Sequence, residues 1–180
     1  MSDLTFSQAQ ANMRDAYLSG APGVLVSGLV WLVAGGVALA VSDKSAVYAL
    51  LIGGALIHPV GVVVAKLLGS PGQHASGNPL GGLAAEGTFW LLAGIAIAYG
   101  MHVLRLEWFF PAMLLLIGGR YLTFQTLYGL RSYWVLGGVL CALGTALALA
   151  RVPVPVSAFA GGIVEVVFAG WLFSQTKRRG

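Results

Sequence analysis

The sequence predicts an all-α membrane protein with six transmembrane helices and a short amphipathic helix before them. Its 180 residues are 58% hydrophobic and only 9% charged, a composition typical of membrane proteins. A single soluble domain of this length could not bury so much apolar surface in its core. The 26 glycines support the same class, because small residues let membrane helices pack closely. The net charge of +4 comes without a basic stripe, so we expect no nucleic-acid partner.

Residues 1–20 are too polar to span a membrane and predict a short helix lying on its surface. The segment Ser7-Gln8-Ala9-Gln10 has the form of a capping box at the start of that helix. This region lacks the order of basic, apolar and cleavage segments of a secretory signal. Helical spacing places four side chains on the face expected to meet the membrane: Ala9, Met13, Ala16 and Tyr17.

Six apolar segments follow, each close to the ~20 residues that a spanning helix needs. They form one transmembrane domain, residues 21–176, which is followed by a basic tail at 177–180. The longest connection, Gly69 to Gly82, consists largely of turn-forming residues. The predicted spans are Pro22 to Val41, Ala46 to Leu68, Leu83 to His102, Trp108 to Gly129, Tyr133 to Ala150 and Val156 to Ser174.

The positions of the basic residues predict the orientation of these spans. An excess of lysine and arginine is typical of the cytoplasmic side of a membrane protein. Both termini are therefore expected in the cytoplasm, and the three basic residues of the tail are expected beside anionic headgroups. The side shared by both termini carries Arg14, Lys66, Arg131, Lys177, Arg178 and Arg179, whereas the other carries Lys44, Arg105 and Arg151.

An internal repeat suggests that the six spans form three hairpins. The first helix of each hairpin carries a W-x-x-x-G pattern that starts at Trp31, Trp90 or Trp134. The second carries a double glycine, in LLIGG ending at Gly54, LLIGG ending at Gly119 and AFAGG ending at Gly162. Such a repeat predicts three helix pairs around a pseudo-threefold axis, with the glycines at close contacts.

Arg120 in the fourth span is the most informative single residue. An arginine at mid-membrane costs about 2.5–3.5 kcal/mol on insertion scales, so it is expected to meet a partner or water. The repeat places His58, Arg120 and Glu165 within about 4.5 Å of one another in depth. Glu86 enters from the cytoplasmic end of the third span, within reach of an arginine that snorkels towards it.

These residues predict a ligand site in the cytoplasmic half of the bundle. Arg120 paired with Glu165 or Glu86 would provide a fixed cation for an anion or a polar headgroup, and the alternative is a structural salt bridge that locks two helices. His58 precedes Pro59 and is either a ligand contact or a histidine satisfied by a freed carbonyl. Tyr121 and Gln125 lie on a polar stripe of the fourth span, which either lines a vestibule or joins helices.

Several site types lack their expected residues. No aspartate lies in any span, so a magnesium site for phosphotransfer lacks its ligands. There is no phosphate-binding G-x-x-x-x-G-K-[ST] loop, and no motif pairs a nucleophile with a base. We therefore expect no metal, no cofactor and no recognisable catalytic residue. The single cysteine, Cys141, is expected to pack between helices.

Four segments of the chain resemble a family of small six-span bacterial membrane proteins that is catalogued as a domain of unknown function. The likeness covers about residues 14–138 and implies a bacterial inner-membrane location and attention to His58, Glu86 and Arg120. Glu165 lies outside it. The three-hairpin pattern is also similar, more weakly, to the six-span acid-resistance membrane protein family. The segments are RDAYLSGAPGVLVSGLVWL, LIGGALIHPVG, GNPLGGLAAEGTFWLL and EWFFPAMLLLIGGRYLTFQTLYG.

Three functions are compatible with these observations. The first is binding or passage of a small polar or anionic molecule through a polar cavity, as in a transporter. The second is a non-transporting structural or stress-related membrane protein, in which Arg120 only locks helices together. The third is an unfamiliar membrane enzyme that acts on a lipid and uses Glu86 or Glu165 with His58 for proton transfer. Membrane lipids are the expected partners, and glycine-rich outer faces allow a homo-oligomer.

Overall fold

The computed structural model describes residues 4–177, with the side chains of His102, Thr176 and Lys177 outside it. This part of the chain is helical and contains no strand. The predicted basic tail falls almost entirely beyond the described residues. The helices are α1 (Phe6–Tyr17), α2 (Ala21–Ala40), α3 (Asp43–Leu67), α4 (Leu80–Leu104), α5 (Phe109–Tyr128), α6 (Ser132–Ala150) and α7 (Val154–Lys177), with single 3₁₀ turns at Leu18–Gly20 and Leu106–Trp108.

The six long helices agree with the six predicted spans to within three residues at each boundary. Five segments of the described chain are long and apolar enough to cross a membrane: Phe6–Ala40, Asp43–Leu67, Leu80–Met101, Ser132–Ala150 and Val154–Gln175. Helix α5 is 20 residues long but is not among these segments of the described chain, and it is the helix that contains Arg120 and Gln125. Apolar helices of this length indicate a membrane protein.

The helices pack as two groups of three rather than as three equivalent hairpins. Helix α2 packs closely against both α3 and α7, and α5 packs closely against α6 with α4 alongside it. Helices α6 and α7, which were predicted to form the third hairpin, contact each other only lightly. The three repeat tryptophans also differ, because Trp31 is fully buried whereas Trp90 and Trp134 are exposed. The packing therefore does not follow the predicted pseudo-threefold symmetry.

The double glycines do lie at close helix contacts, but against different partners. A Cβ on Gly53 would meet Val30 of α2, whereas a Cβ on Gly118 would lie 2.9 Å from the carbonyl oxygen of Gly137 in α6. The second glycine of each of these pairs is open. A Cβ on Gly54 or Gly119 would meet no atom of a neighbouring described element within 4 Å. Both glycines of the third pair are packed, because α7 lies between α2 and α5.

Helix α1 covers one end of the bundle, which we call the covered end. Its capping box is formed by Thr5 and Gln8 and begins two residues before the predicted one at Ser7. The helix starts at Phe6, so the residue before it, Thr5, is the N-cap. The face with Ala9, Met13 and Ala16 is buried, and α1 contacts α5, α3 and α4. That face therefore meets protein, where the sequence predicted that it would meet the membrane surface.

The chain turns sharply between α1 and α2. Leu18, Ser19 and Gly20 all have positive φ angles, of 48°, 57° and 81°. For the two residues with a side chain this conformation costs about 1–2 kcal/mol each, so other contacts must hold it. The Tyr133 hydroxyl donates a hydrogen bond of 2.6 Å to the Ser19 carbonyl, and a Cβ on Gly20 would collide with that hydroxyl. This corner therefore fits against α6 and needs a glycine there.

Candidate functional site

Glu165 of α7 lies in the interior of the bundle and is only 1% exposed. The close approach of α2 and α7 explains its burial. A Cβ on Gly28 would lie 2.9 Å from the backbone nitrogen of Val166 and 3.0 Å from the Gly162 carbonyl oxygen. The two backbones thus touch at the level of Glu165, and α5 packs against α7 from the other side.

The Glu165 carboxyl interacts with two hydroxyl groups, those of Ser27 in α2 and Tyr121 in α5. Within the described chain, neither carboxyl oxygen has a hydrogen-bond partner of normal length and direction. An isolated carboxylate in such a place costs several kcal/mol, even after the protein relaxes. A bound proton or a bound cation removes that cost. We call these three residues, Glu165, Ser27 and Tyr121, the acid centre.

A cluster of tyrosines extends from the acid centre towards the covered end. The Tyr121 ring stacks on Tyr133 with a centroid distance of 6.0 Å, and Tyr133 stacks on Tyr128 at 5.5 Å. Tyr121 and Tyr128 lie two turns apart on the same face of α5. Because the Tyr133 hydroxyl bonds to the Ser19 carbonyl at the corner after α1, the cluster joins the acid centre to the segment that covers this end.

Helix α1 is held over this end by side chains that bond to the last backbone carbonyls of α5. Arg14 Nη1 donates to the Tyr128 carbonyl at 2.6 Å, and Gln10 Nε2 donates to the Thr126 carbonyl at 2.8 Å. The final carbonyls of a helix have no partner inside the helix, so α1 supplies one for each. These bonds stabilise both the end of α5 and the position of α1.

The glycine-rich connection between α3 and α4 folds over the outer side of α1. Asn78 Nδ2 donates to the Ala9 carbonyl at 3.0 Å and to Asn12 Oδ1 at 2.9 Å. Ser70 Oγ donates to the Ala16 carbonyl at 2.7 Å, and the Tyr17 hydroxyl lies 2.8 Å from His74 Nδ1. The predicted loop is therefore an ordered strap, which we define as residues 69–79, and it fixes α1 against the bundle.

Arg120 does not form the predicted pair with Glu165 or Glu86. Its Nη2 donates to Thr88 Oγ1 of α4 at 3.1 Å, and its guanidinium lies 5.7 Å from the centre of the Phe124 ring. The ion pair within 4 Å in the described part of the chain is formed by Arg105 and Glu107, and Arg120 is not part of it. Arg120 and Tyr121 are about 100° apart around α5, so Tyr121 faces Glu165 while Arg120 faces α4. Arg120 therefore points away from the acid that the sequence predicted as its partner.

The other predicted residues lie outside the acid centre. Glu86 is exposed on α4, two residues before Thr88 and hence on the opposite face of that helix. His58 is exposed on α3, whose close neighbour is α2. Gln125 is half-buried on α5. Of the six predicted site residues, the structure brings together Glu165 and Tyr121.

Sequence reasoning missed Ser27 and Tyr133. Ser27 lies one turn before the fully buried Trp31 on α2, and a lone serine inside an apolar span was the available signal. Tyr133 was treated only as the first residue of a span, although it is fully buried. The described residues contain no group of three histidine, cysteine, aspartate or glutamate side chains that could hold a metal ion.

A cavity of about 390 Å³ lies at the end of the bundle opposite α1, between α4, α5 and α6. It is therefore in the other half of the molecule from the acid centre. Its wall is apolar apart from Trp108, so it is not the polar cavity that the sequence predicted beside Arg120. The lining residues are Gly94, Ile97, Ala98, Met101, Trp108, Ala112, Leu115, Leu116, Ala148 and Leu149.

Comparison with known proteins gives a family but no activity. No curated protein and no solved structure shows significant similarity to the chain. A family model matches residues 6–175, which includes α1, the six long helices and Glu165. The match extends beyond the resemblance seen in the sequence, which ended before α7. The chain belongs to the family described as "Family of unknown function (DUF7010)".

Proposed function

We propose that this protein binds, or passes, a small polar or ionic molecule in the half of its helix bundle that α1 covers. One observation carries the proposal: Glu165 is fully buried, and its carboxyl oxygens have no hydrogen-bond partner of normal geometry in the described chain. Ionisable side chains inside a membrane bundle are costly and are typical of proton relays and ion pathways. A helix contact alone does not need a carboxyl group there.

A proton is the simplest occupant of this site. The carboxyl group is neutral when it carries a proton, which removes the cost of a buried charge. The hydroxyls of Tyr121 and Ser27 then provide an acceptor and a donor beside it. Tyr133 and Ser19 continue this polar line to the corner after α1. The contacts thus favour Glu165, rather than Arg120, as the group that binds the ligand.

The proposal includes a six-span topology in a bacterial inner membrane, with both termini in the cytoplasm. Arg14, Lys66 and Arg131 belong to the covered end, whereas Lys44, Arg105 and Arg151 belong to the opposite end. The remaining basic residues of the tail follow α7, which runs towards the covered end. This asymmetry supports a cytoplasmic covered end. In the proposed topology the acid centre then belongs to the cytoplasmic half.

Infrared spectroscopy of the purified protein tests whether Glu165 binds a proton. A protonated carboxyl group absorbs apart from the amide bands, and the band shifts when the buffer is changed to D₂O. We expect this band in the wild type and its loss in Glu165→Gln. The matched control is Glu86→Gln, which removes an exposed acid on α4 and should leave the band in place. A band that survives in Glu165→Gln contradicts the proposal.

Proteoliposomes that contain a pH-sensitive dye separate binding from passage. If the protein passes protons, an imposed membrane potential should change the internal pH in wild-type vesicles and in Glu86→Gln vesicles. Glu165→Gln vesicles should show the rate of protein-free liposomes. Equal rates in all four preparations would reject passage, and the infrared result would still decide binding.

A second candidate is a non-transporting structural protein in which Arg120 holds helices together. The hydrogen bond from Arg120 to Thr88 favours it, because this bond joins α4 to α5. Arg120→Ala should then lower the free energy of unfolding by about 1–3 kcal/mol, as measured by thermal unfolding in detergent. Thr88→Val should reproduce part of that loss. If Arg120→Ala unfolds like the wild type, Arg120 has no such locking role.

A further inference from the structure

The apolar cavity at the end opposite α1 opens to the outside of the bundle. Three of its lining residues, Ile97, Leu115 and Leu149, are 70%, 41% and 81% exposed. Leu104 at the end of α4 is also exposed, at 79%. In a membrane protein such side chains face lipid acyl chains rather than water. The cavity is therefore accessible from the apolar layer of the membrane.

The size of the cavity suits a hydrophobic chain. Its volume of about 390 Å³ lies within the range of ligand sites in proteins, about 300–1,000 Å³. Small residues of α4 and α5, Ala98 and Ala112, form part of the wall. Along α4 the lining extends from Gly94 to Met101, which is about 10 Å of helix. The cavity is thus an elongated groove between α4 and α5 that begins near the helix ends.

The tryptophan at the outer end of this groove carries a polar group without a partner. Trp108 lines the cavity, and its buried Nε1 has no hydrogen-bond partner among the described residues. A buried donor without an acceptor has a free-energy cost. A ligand with an oxygen atom at this level would remove that cost.

A cation lies next to Trp108. The guanidinium of Arg105 is 5.9 Å from the centre of the Trp108 ring, and its side chain is 53% exposed. Its contact with Glu107 is 3.5 Å long and exposed, and exposed ion pairs of this kind are weak. Arg105 can therefore contact an anionic group at the membrane surface. The apolar groove therefore ends at Trp108, and the cation of Arg105 lies beside that tryptophan.

We propose that this groove binds an anionic membrane lipid. One acyl chain lies between α4 and α5 against Ala98 and Ala112, an ester carbonyl accepts the hydrogen bond of Trp108 Nε1, and the phosphate lies beside Arg105. The order of these groups along the groove matches the order of chain, ester and phosphate in a phospholipid. This site is independent of the acid centre and of the function proposed for it.

Native mass spectrometry of the full-length protein in detergent, with added phosphatidylglycerol or phosphatidylcholine, tests the proposal. Ala112→Phe should fill the groove and reduce retained phosphatidylglycerol by about tenfold. Trp108→Phe keeps the ring and removes the donor, so a loss of about threefold to tenfold is expected. Arg105→Gln should lower phosphatidylglycerol retention to that of phosphatidylcholine. The matched control is Ala146→Phe, a substitution at an exposed alanine of α6 that does not line the groove.

Several outcomes would overturn the site. Retention by Ala112→Phe that equals the wild type and Ala146→Phe would reject the acyl-chain position. If Ala112→Phe does not fold, Leu149→Trp fills the mouth of the groove from an exposed position and decides the same question. Equal retention of the two lipids by the wild type, unchanged in Arg105→Gln, would reject an anionic lipid. A wild-type dimer that excludes lipid would assign the groove to a second copy of the chain.

Discussion

Helices α4 and α7 are similar in length and apolar composition but occupy different environments. They have 25 and 24 residues, and each is apolar and contains one glutamate. Only 11% of the apolar window of α4 is buried inside the protein, whereas 39% of that of α7 is. Helix α7 lies between α2 and α5, and α4 contacts mainly α5. The same kind of segment therefore carries a buried acid in one place and an exposed acid and a largely exposed surface in the other.

This difference shows which features of a membrane helix carry information about its neighbours. In α7 both members of the double glycine are in close contact with α2 or α5. In α4, Gly94 packs against Leu116, but no described atom would lie within 4 Å of a Cβ on Gly82 or Gly100. The glutamate follows the packing, since Glu165 is enclosed and Glu86 is exposed. A Cβ on Gly161 would meet both Leu114 of α5 and Trp31 of α2, which is the double contact expected of an enclosed helix.

The largest expected effect comes from filling the contact between α2 and α7. In Gly162→Leu, the new Cβ would lie 2.9 Å from the Gly28 carbonyl oxygen and 2.8 Å from Leu32, and a backbone atom cannot move aside. We expect a loss of about 3 kcal/mol or more in the free energy of unfolding. Thermal unfolding and size-exclusion profiles in detergent measure it. Gly100→Leu on α4 is the control and should unfold like the wild type. If the two variants lose the same stability, α7 is not more tightly enclosed than α4.

The second effect has the opposite sign. Glu165→Met replaces a buried carboxyl group with an apolar side chain of similar length. Two carboxyl oxygens without partners disappear, whereas the Ser27 and Tyr121 hydroxyls lose a polar neighbour. The net change should be a gain in stability of no more than about 2 kcal/mol. Glu86→Met changes an exposed side chain and should shift stability by no more than about 0.5 kcal/mol. A destabilised Glu165→Met protein would mean that the carboxyl group has better partners than its contacts indicate.

The third and smallest effect concerns the attachment of α4. Asn78 bonds to the Ala9 carbonyl and to Asn12 of α1, and its Oδ1 accepts from the Leu80 backbone nitrogen at 3.0 Å. Asn78→Ala should cost about 1–2 kcal/mol, mostly as local opening of the strap and the first turn of α4. Hydrogen exchange should increase in residues 70–88 and remain unchanged in α7. Gln73→Ala, at an exposed position of the same strap, is the control. If hydrogen exchange increases equally in both variants, Asn78 does not hold the strap and α4 against α1.

The sequence determined the number, length and order of the helices. Apolar length and turn-forming residues are local properties, so the boundaries of α2 to α7 could be placed to within three residues. The apolar face of α1 was also predictable, because helical spacing puts Ala9, Met13 and Ala16 together, although the sequence did not show that this face packs against protein. Depth in the bundle followed from counting residues, and Tyr121, the neighbour of Arg120, does lie at the level of Glu165.

Only the tertiary structure decided which helices touch and which way each polar side chain points. Adjacent residues on a helix differ by about 100°, so Arg120 and Tyr121 face different neighbours although they share one depth. In uniformly apolar helices the hydrophobic pattern does not select a face, because lipid and the protein interior are equally apolar. The choice depends on close glycine contacts such as Gly28 with Gly162, and their partners lie too far apart in the chain for local spacing to reveal them.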